Sequence, residues 1–340
     1  MKKVMIILTA VILLATMVLY SKEVSKTGTT AATFLTIDVG ARGVGMGGAY
    51  IASAEDVTSM YWNPAGLARL KTSEAIFSHT NWLADVAFNF VGVGIQTGNY
   101  GSLGLHATFL TMDDMKRTTP DQPDGTGETF SAGSYAVGIS YAQNLTDRFS
   151  IGGTAKYIQE KIWHSTSQGI AFDIGTIFDT QFNGLKIGMS IRNYGPKMQM
   201  SGRDMLVQTD IDSRFAGNNP NINANLTTDK WDLPLTFQVG LAMDILKGVG
   251  NSDLILAVDA LHPNDDMESM NVGAEYVFNN MFSLRGGYNS LFGKDAEAGL
   301  CLGAGFQYSL TGMGSLYMNY AFQDFGILNS VQKFSIGLGF

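Results

Sequence analysis

Large apolar side chains alternate with small or polar ones along most of this 340-residue chain. From about residue 72 onward the alternation has a period of two, in segments of roughly ten residues separated by turn residues. Period two is typical of a β-strand whose two faces meet different surroundings. The pattern predicts fourteen strands, over residues 72–81, 86–97, 101–112, 130–143, 149–163, 168–180, 184–193, 234–246, 252–261, 268–278, 281–291, 297–309, 313–323 and 331–340.

The last segment has the clearest alternation, and the sequence stops on an aromatic residue. Its large apolar residues are Phe334, Ile336, Leu338 and Phe340, and small or polar residues stand between them. A strand between hydrocarbon and a polar lumen needs this pattern. Such an end resembles the terminal assembly signal of bacterial outer-membrane barrels, which implies docking onto the barrel assembly machinery by strand addition. An ordinary edge strand of a soluble sandwich is the alternative for this segment alone.

The connections between the predicted strands differ in length according to their parity. The connections on one side are short, at residues 98–100, 144–148, 181–184, 247–251, 279–280 and 311–312. The other side includes the long connections Asp113 to Thr129 and Tyr194 to Leu233. Outer-membrane barrels combine short periplasmic turns with longer outer loops. The sequence therefore predicts an all-β membrane protein, a 14-stranded antiparallel barrel in the bacterial outer membrane, in preference to a soluble all-β fold.

Composition agrees with a membrane barrel and excludes other classes. Charged residues make up 15% of the chain, against about 25% in ordinary soluble proteins. The net charge is −8 and no run rich in Lys and Arg occurs, so nucleic acid is not an expected partner. The single cysteine, Cys301, cannot form a disulfide within the chain.

The amino terminus has the features of a targeting segment. Lys2 and Lys3 precede an uncharged apolar run from Val4 to Tyr20, which favours a secretory signal peptide over residues 1–22. An uncleaved anchor is the alternative, because the run is nearly long enough to span a bilayer. The remaining chain then divides into an N-terminal region, residues 23–70, and a barrel, residues 71–340.

One region before the first strand, residues 33–70, is not strand-like. It contains a formal G-x-G-x-x-G at Gly43, Gly45 and Gly48. A dinucleotide-binding fold would need repeated strand and helix units downstream, whereas only strands follow. The alternative is a compact segment inside a barrel lumen, where Gly and Ala let backbones approach closely and Asn63-Pro64 sets a turn.

Two stretches of this region, GARGVGMGGAY and AEDVTSMYWNPAGLA, resemble the amino-terminal signature of PorV/PorQ-type proteins, within the FadL-like outer-membrane barrels. The resemblance implies a small N-terminal hatch in the lumen. The hatch motif comprises Gly40, Arg42, Gly43, Gly45, Gly47, Gly48, Asn63, Pro64, Ala65 and Gly66. It also implies one of two tasks. FadL is a channel for long-chain fatty acids, whereas PorV-like members serve type IX secretion by binding C-terminal signal domains of secreted proteins.

The sequence offers little catalytic chemistry. None of the four histidines has a Cys, His or carboxylate partner at metal-ligand spacing. No nucleophile is paired with a base in a known pattern. We expect no metal, no cofactor and no enzymatic activity.

The long Tyr194 to Leu233 connection is the candidate site for a partner or ligand, because Met198, Met200, Met205 and Leu206 make part of it apolar. In the secretion hypothesis, which the signature favours, it receives a secreted cargo protein beside other secretion components. In the uptake hypothesis it collects a hydrophobic small molecule for a pocket against the hatch. A structural role, capping the barrel or contacting outer-membrane lipid, is a further alternative. A passive porin is disfavoured because a hatch would obstruct the lumen.

Overall fold

The main element of the fold is one closed antiparallel sheet. The structure is a computed structural model that describes residues 28–210, 214, 221–246, 251–293, 298–310 and 314–340. Its fourteen strands are β1 Glu74–Asn81, β2 Ala87–Gln96, β3 Ser102–Thr111, β4 Ala132–Thr146, β5 Phe149–Ile162, β6 Ser165–Asp179, β7 Lys186–Tyr194, β8 Thr236–Asp244, β9 Ser252–Pro263, β10 Ser269–Phe278, β11 Phe282–Leu291, β12 Leu300–Leu310, β13 Gly314–Asp324 and β14 Ser330–Gly339. Consecutive strands pair, and β14 closes the ring against β1. The predicted 14-stranded barrel is confirmed.

The strands place apolar side chains outside and polar ones inside. Ile139 and Leu284, which face outward, are 63% and 65% exposed. Asp259 and Lys333, which face inward, are fully buried. This distribution is the reverse of that in a soluble protein and is typical of a barrel whose outer surface contacts lipid.

The two longest connections, residues 112–131 and 195–235, lie at the same end of the barrel because strand direction alternates. We call this the long-loop end and the opposite end the short-turn end. Outer connections are not uniformly long, since only residues 163 and 164 join β5 to β6. Most of the predicted turn at 247–251 and all of that at 311–312 lie outside the described residues.

The remaining elements are short. Residues before β1 form two short helices, α1 (Ala41–Gly45) and α2 (Ser59–Trp62). Short 3-10 helices cover Thr33–Thr36, Pro64–Arg69, Leu83–Asp85, Gly98–Tyr100, Arg203–Met205 and Gly326–Leu328. Short strands at Met115–Lys116, Thr129–Phe130, Met198–Gln199, Ser201–Gly202, Leu206–Thr209, Ile222–Asn225 and Lys230–Trp231 lie in the two long connections. Among the described residues, no helix has the length and apolar character needed to cross a membrane.

The buried core is formed by residues 28–73, which we call the N-terminal segment, together with inward side chains of the barrel. Met60 and Leu67 share an apolar cluster with Phe88 and Phe90 of β2. An irregular alternation at the second strand predicts either a bulge or an apolar stretch with two faces. The second alternative is correct, because β2 keeps its register with β1 and β3 throughout. The predicted signal peptide, residues 1–22, lies outside the described residues.

Candidate functional site

The first half of the glycine-rich motif packs α1 against β11, β12 and β13. Gly47 has φ +65°, and a Cβ there would lie 2.6 Å from the backbone N of Tyr288. A Cβ at Gly43 would lie 2.8 Å from the indole ring of Trp62. Any larger residue would therefore push the N-terminal segment away from the strands or from its own second helix.

Arg42 anchors α1 through an ion-pair cluster. Its Nη2 lies 2.7 Å from Oε2 of Glu275, which also accepts a 2.7 Å hydrogen bond from Nε of Arg285. Arg285 in turn donates to Asn319. An Asp56 carboxylate oxygen lies 3.6 Å from the other terminal nitrogen of Arg42, Nη1. One buried carboxylate thus lies between two guanidinium groups, one from the segment and one from the barrel.

A second anchor holds the stretch after α1. Asp259 of β9 accepts hydrogen bonds from the backbone N–H groups of Tyr50 and Ile51, at 2.8 and 3.1 Å. The Asn63 amide donates to the carbonyls of Ile51 and Thr176, at 2.9 and 3.1 Å. The two halves of the motif are therefore tied to each other and to two separate strands.

A third anchor lies on β14. The Lys333 ammonium donates to the carbonyl of Asp38 at 2.6 Å and lies over the rings of Trp82 and Phe88. Burial raises the pKa of Asp38, an effect that nearby Lys333 opposes in part. Burial, the largest single cause, would lower the pKa of Arg42, but Glu275, Tyr50 and Asp56 together outweigh it and raise the pKa well above its usual value. Arg42 therefore stays charged.

A cavity of about 510 Å³ opens at the long-loop end. Residues 30–33, the ends of β3 to β5 and the 195–235 connection surround it. Its apolar lining includes Leu110, Met112, Ile162, Met198, Met200 and Trp231. Glu160, Lys161 and Asp229 add charged groups at its wall. The surface of the cavity is nevertheless mostly apolar, and a mostly apolar cavity is the type that binds hydrophobic molecules.

The structure separates the four candidate loop residues. Met198 and Met200 line the cavity, and Met198 is buried. Met205 ends a 3-10 turn, and Leu206, which is half exposed, begins the strand that pairs with Ile222–Asn225. The large apolar residues of β14, Phe334, Ile336 and Leu338, are exposed, as is Phe340, which follows the strand.

Sequence reasoning missed the buried charges that hold the N-terminal segment. Asp259, Glu275, Arg285 and Lys333 were not singled out. Each lies at one of the small or polar positions that alternate with large apolar residues in a predicted strand. A charged residue at such a position indicates an inward-facing charge in a barrel. Within the described residues, no three His, Cys, Asp or Glu side chains come together as a set that could hold a metal ion.

The family of the chain follows from a sequence comparison. The family described as "Type IX secretion system protein PorV" matches residues 20–215, more than half of the 340 residues. The chain belongs to the PorV family. No curated protein sequence matches it.

Solved structures show what the PorV-family chain resembles in fold. A Pseudomonas aeruginosa FadL homologue is 11% identical with a TM-score of 0.52, covering 88% of this chain and 97% of that one. The CymD monoaromatic hydrocarbon channel is 11% identical with a TM-score of 0.54, covering 89% and 96%. The Ralstonia pickettii toluene transporter TbuX is 11% identical with a TM-score of 0.53, covering 88% and 97%. The chain is thus a FadL-like barrel of the outer membrane.

Proposed function

We propose that this PorV-family barrel is a type IX secretion accessory whose long-loop end binds the C-terminal signal domains of secreted proteins. The family match over residues 20–215 carries the proposal. The long-loop end supports it, because the two longest connections of the barrel, residues 112–131 and 195–235, lie there.

Mass spectrometry on the native protein tests this role. The barrel is purified from its own membranes in mild detergent, and bound proteins and extracted small molecules are identified together. We expect secreted proteins that share one C-terminal domain. Enrichment of hydrophobic molecules without such proteins contradicts the proposal.

We further propose that residues 33–70 act as a hatch that closes the lumen. The anchors at Glu275, Asp259 and Lys333 support it, because each holds this stretch to a different strand. Deletion of residues 33–70 is expected to raise ion conductance in planar bilayers above that of the full chain. Unchanged conductance from a variant that still shows the heat-dependent gel shift of a folded barrel contradicts the hatch.

Phe340 is proposed to serve as the terminal signal read by the barrel assembly machinery. Its deletion should lower the amount of barrel inserted in the outer membrane. Phe278→Ala, which removes an exposed aromatic residue at the end of β10, is the matched control and should insert normally. Equal insertion of both variants contradicts the signal.

Binding of a hydrophobic molecule is the second candidate function, and the 510 Å³ cavity favours it. Met200→Glu places a charge in the cavity wall and should reduce binding of a fluorescent hydrophobic probe such as N-phenylnaphthylamine. Met205→Glu adds the same charge in the same connection outside the lining and should not. An equal effect of the two variants argues against a site in this cavity.

A further inference from the structure

A short hairpin within the 195–235 connection has two open edges. Leu206–Thr209 pairs with Ile222–Asn225, and Leu226 N–H donates to Met205 O at 2.8 Å. Antiparallel pairs alternate between bonded and non-bonded, so the N–H and C=O groups of Leu206 and Gln208 point away from the hairpin on one edge. The N–H and C=O groups of Asn223 and Asn225 point away from the hairpin on the other edge. In the described part of the chain, no third strand pairs with either edge.

These edges carry no charge, Pro or bulge to oppose strand pairing, although each strand is only four residues long. Natural proteins block open edges with charged residues, Pro or bulges. The eight strand residues, LVQT and INAN, include no charge and no Pro, and their register has no shift. Leu206, Gln208, Asn223 and Asn225 are all exposed.

The approach to the hairpin is fixed to the barrel rim. Asp204 accepts a hydrogen bond from the His164 backbone N–H at 3.1 Å and lies 3.0 Å from its Nδ1. Ser201–Gly202 pairs with the first residues of β6, and the His164 ring stacks on Trp163. The segment leading into the hairpin is therefore held by both the β5–β6 turn and a barrel strand, which reduces the ordering cost of binding.

We propose that this hairpin is a docking edge for strand addition, at which an extended, uncharged segment of the cargo's signal domain pairs main chain to main chain. The inference rests on the proposed secretion function. A row of outward N–H and C=O groups at strand spacing is complementary to another extended backbone. The absence of charge on both strands fits an uncharged partner segment.

Proline substitution tests the edges one at a time. Gln208→Pro and Asn223→Pro each remove an outward N–H, while the bonded pairs within the hairpin keep their donors. Gln208→Ala and Asn223→Ala are the matched controls, because they change the side chain and keep the N–H. Binding of an isolated C-terminal signal domain from the same bacterium to the full chain in detergent is measured by biolayer interferometry.

We expect one of the two Pro variants to weaken binding about tenfold, as loss of a main-chain hydrogen bond and its neighbours would. The Ala variants should stay near the unsubstituted affinity. If the unsubstituted protein does not bind the domain, the proposed function fails and the inference with it. If the unsubstituted protein binds the domain and both Pro variants bind it as tightly as the unsubstituted protein does, only the docking edge is overturned.

Lysine substitution provides the independent check should Pro unfold the hairpin. Gln208→Lys and Asn223→Lys keep every main-chain donor and introduce the charge that natural edges use against pairing. Reduced binding by the Lys variant at the edge where Pro also weakens binding supports strand addition. Binding unaffected by both Lys variants contradicts it.

Discussion

The two halves of the inner wall hold the N-terminal segment by different means. β2 to β6 present apolar side chains such as Phe90 and Ile158, which belong to the same apolar cluster as Met60 and Leu67. β9 to β14 present charges, with Asp259, Glu275, Arg285 and Lys333 bonded to the segment or to each other. Charged contacts also occur on the first half, where Lys156 of β5 pairs with Asp173 of β6 at 2.8 Å. Asp179 of β6 pairs with Arg69 of the segment at 2.7 Å, at the short-turn end.

Apolar contacts and buried ion pairs contribute differently: the first stabilise the attachment of the N-terminal segment, and the second determine its position. Apolar contacts stabilise in proportion to the area buried and tolerate small shifts. A buried ion pair adds little net stability, since desolvation offsets attraction, but a misplaced one is costly. The apolar half therefore supplies the attachment, and the charged half sets the depth and rotation at which the segment fits.

Removing the central carboxylate should have the largest effect on this arrangement. Glu275→Gln leaves Arg42 and Arg285 without their shared anion, which is expected to cost about 3–5 kcal/mol. Hydrogen exchange of α1 should accelerate accordingly, with β4 unchanged. Glu268→Gln, at a half-exposed carboxylate that contacts His262, is the control and should leave exchange unaltered.

The outcome also tests the division between the halves. Faster exchange spread evenly over α1 and α2 would mean that Glu275 contributes general attachment, contrary to a positioning role.

Truncation on the apolar half should have a smaller and differently placed effect. Met60→Ala removes a fully buried side chain that contacts Gly104 and Gly92. The loss should be about 2–3 kcal/mol, because the wall glycines cannot fill the cavity. Exchange should accelerate around α2 and leave the Arg42 contacts intact. The control Met267→Ala, at an exposed methionine, should change the exchange of neither helix. If Met60→Ala accelerated exchange in α1 alone, that result would contradict the division between the two halves.

Period-two alternation predicted the barrel because each strand's pattern is local and repeats along the chain. Strand ends shift by a few residues, as at β4, which runs to Thr146 instead of 143. The pattern failed where the inner face is apolar too, at Phe88 and Phe90, since those positions face the segment instead of polar side chains.

The site was less predictable because its contacts are long-range. Arg42 and Glu275 are separated by 233 positions in the sequence. Met198 and Met205 look alike in the sequence, yet only Met198 lines the cavity. Their separation depends on how the connection pairs with β6 and on how Met198–Gln199 pairs with Lys230–Trp231, which no local pattern encodes.

Acidification should have the smallest effect, at the short-turn end where the two halves meet. Burial, the largest single cause, would raise the pKa of Glu55, but Lys186, Arg42 and Arg69 together outweigh it, so the pKa is lowered. A lowered pKa contributes stability above the usual value of 4.5, and this is lost as the pH falls through the lowered pKa. For a partly exposed pair we expect a loss of up to about 1 kcal/mol.

Glu55→Gln removes this titration and should flatten the dependence. Hydrogen exchange of residues 55–70, corrected for intrinsic rates, is compared between about pH 6 and pH 3. The unsubstituted protein should lose protection over this interval, and Glu268→Gln should behave as it does. The Gln variant should already have the lower protection at pH 6 and change less on acidification. If it loses as much as the unsubstituted protein, Glu55 does not couple the charged and apolar halves, and another carboxylate carries the acid response.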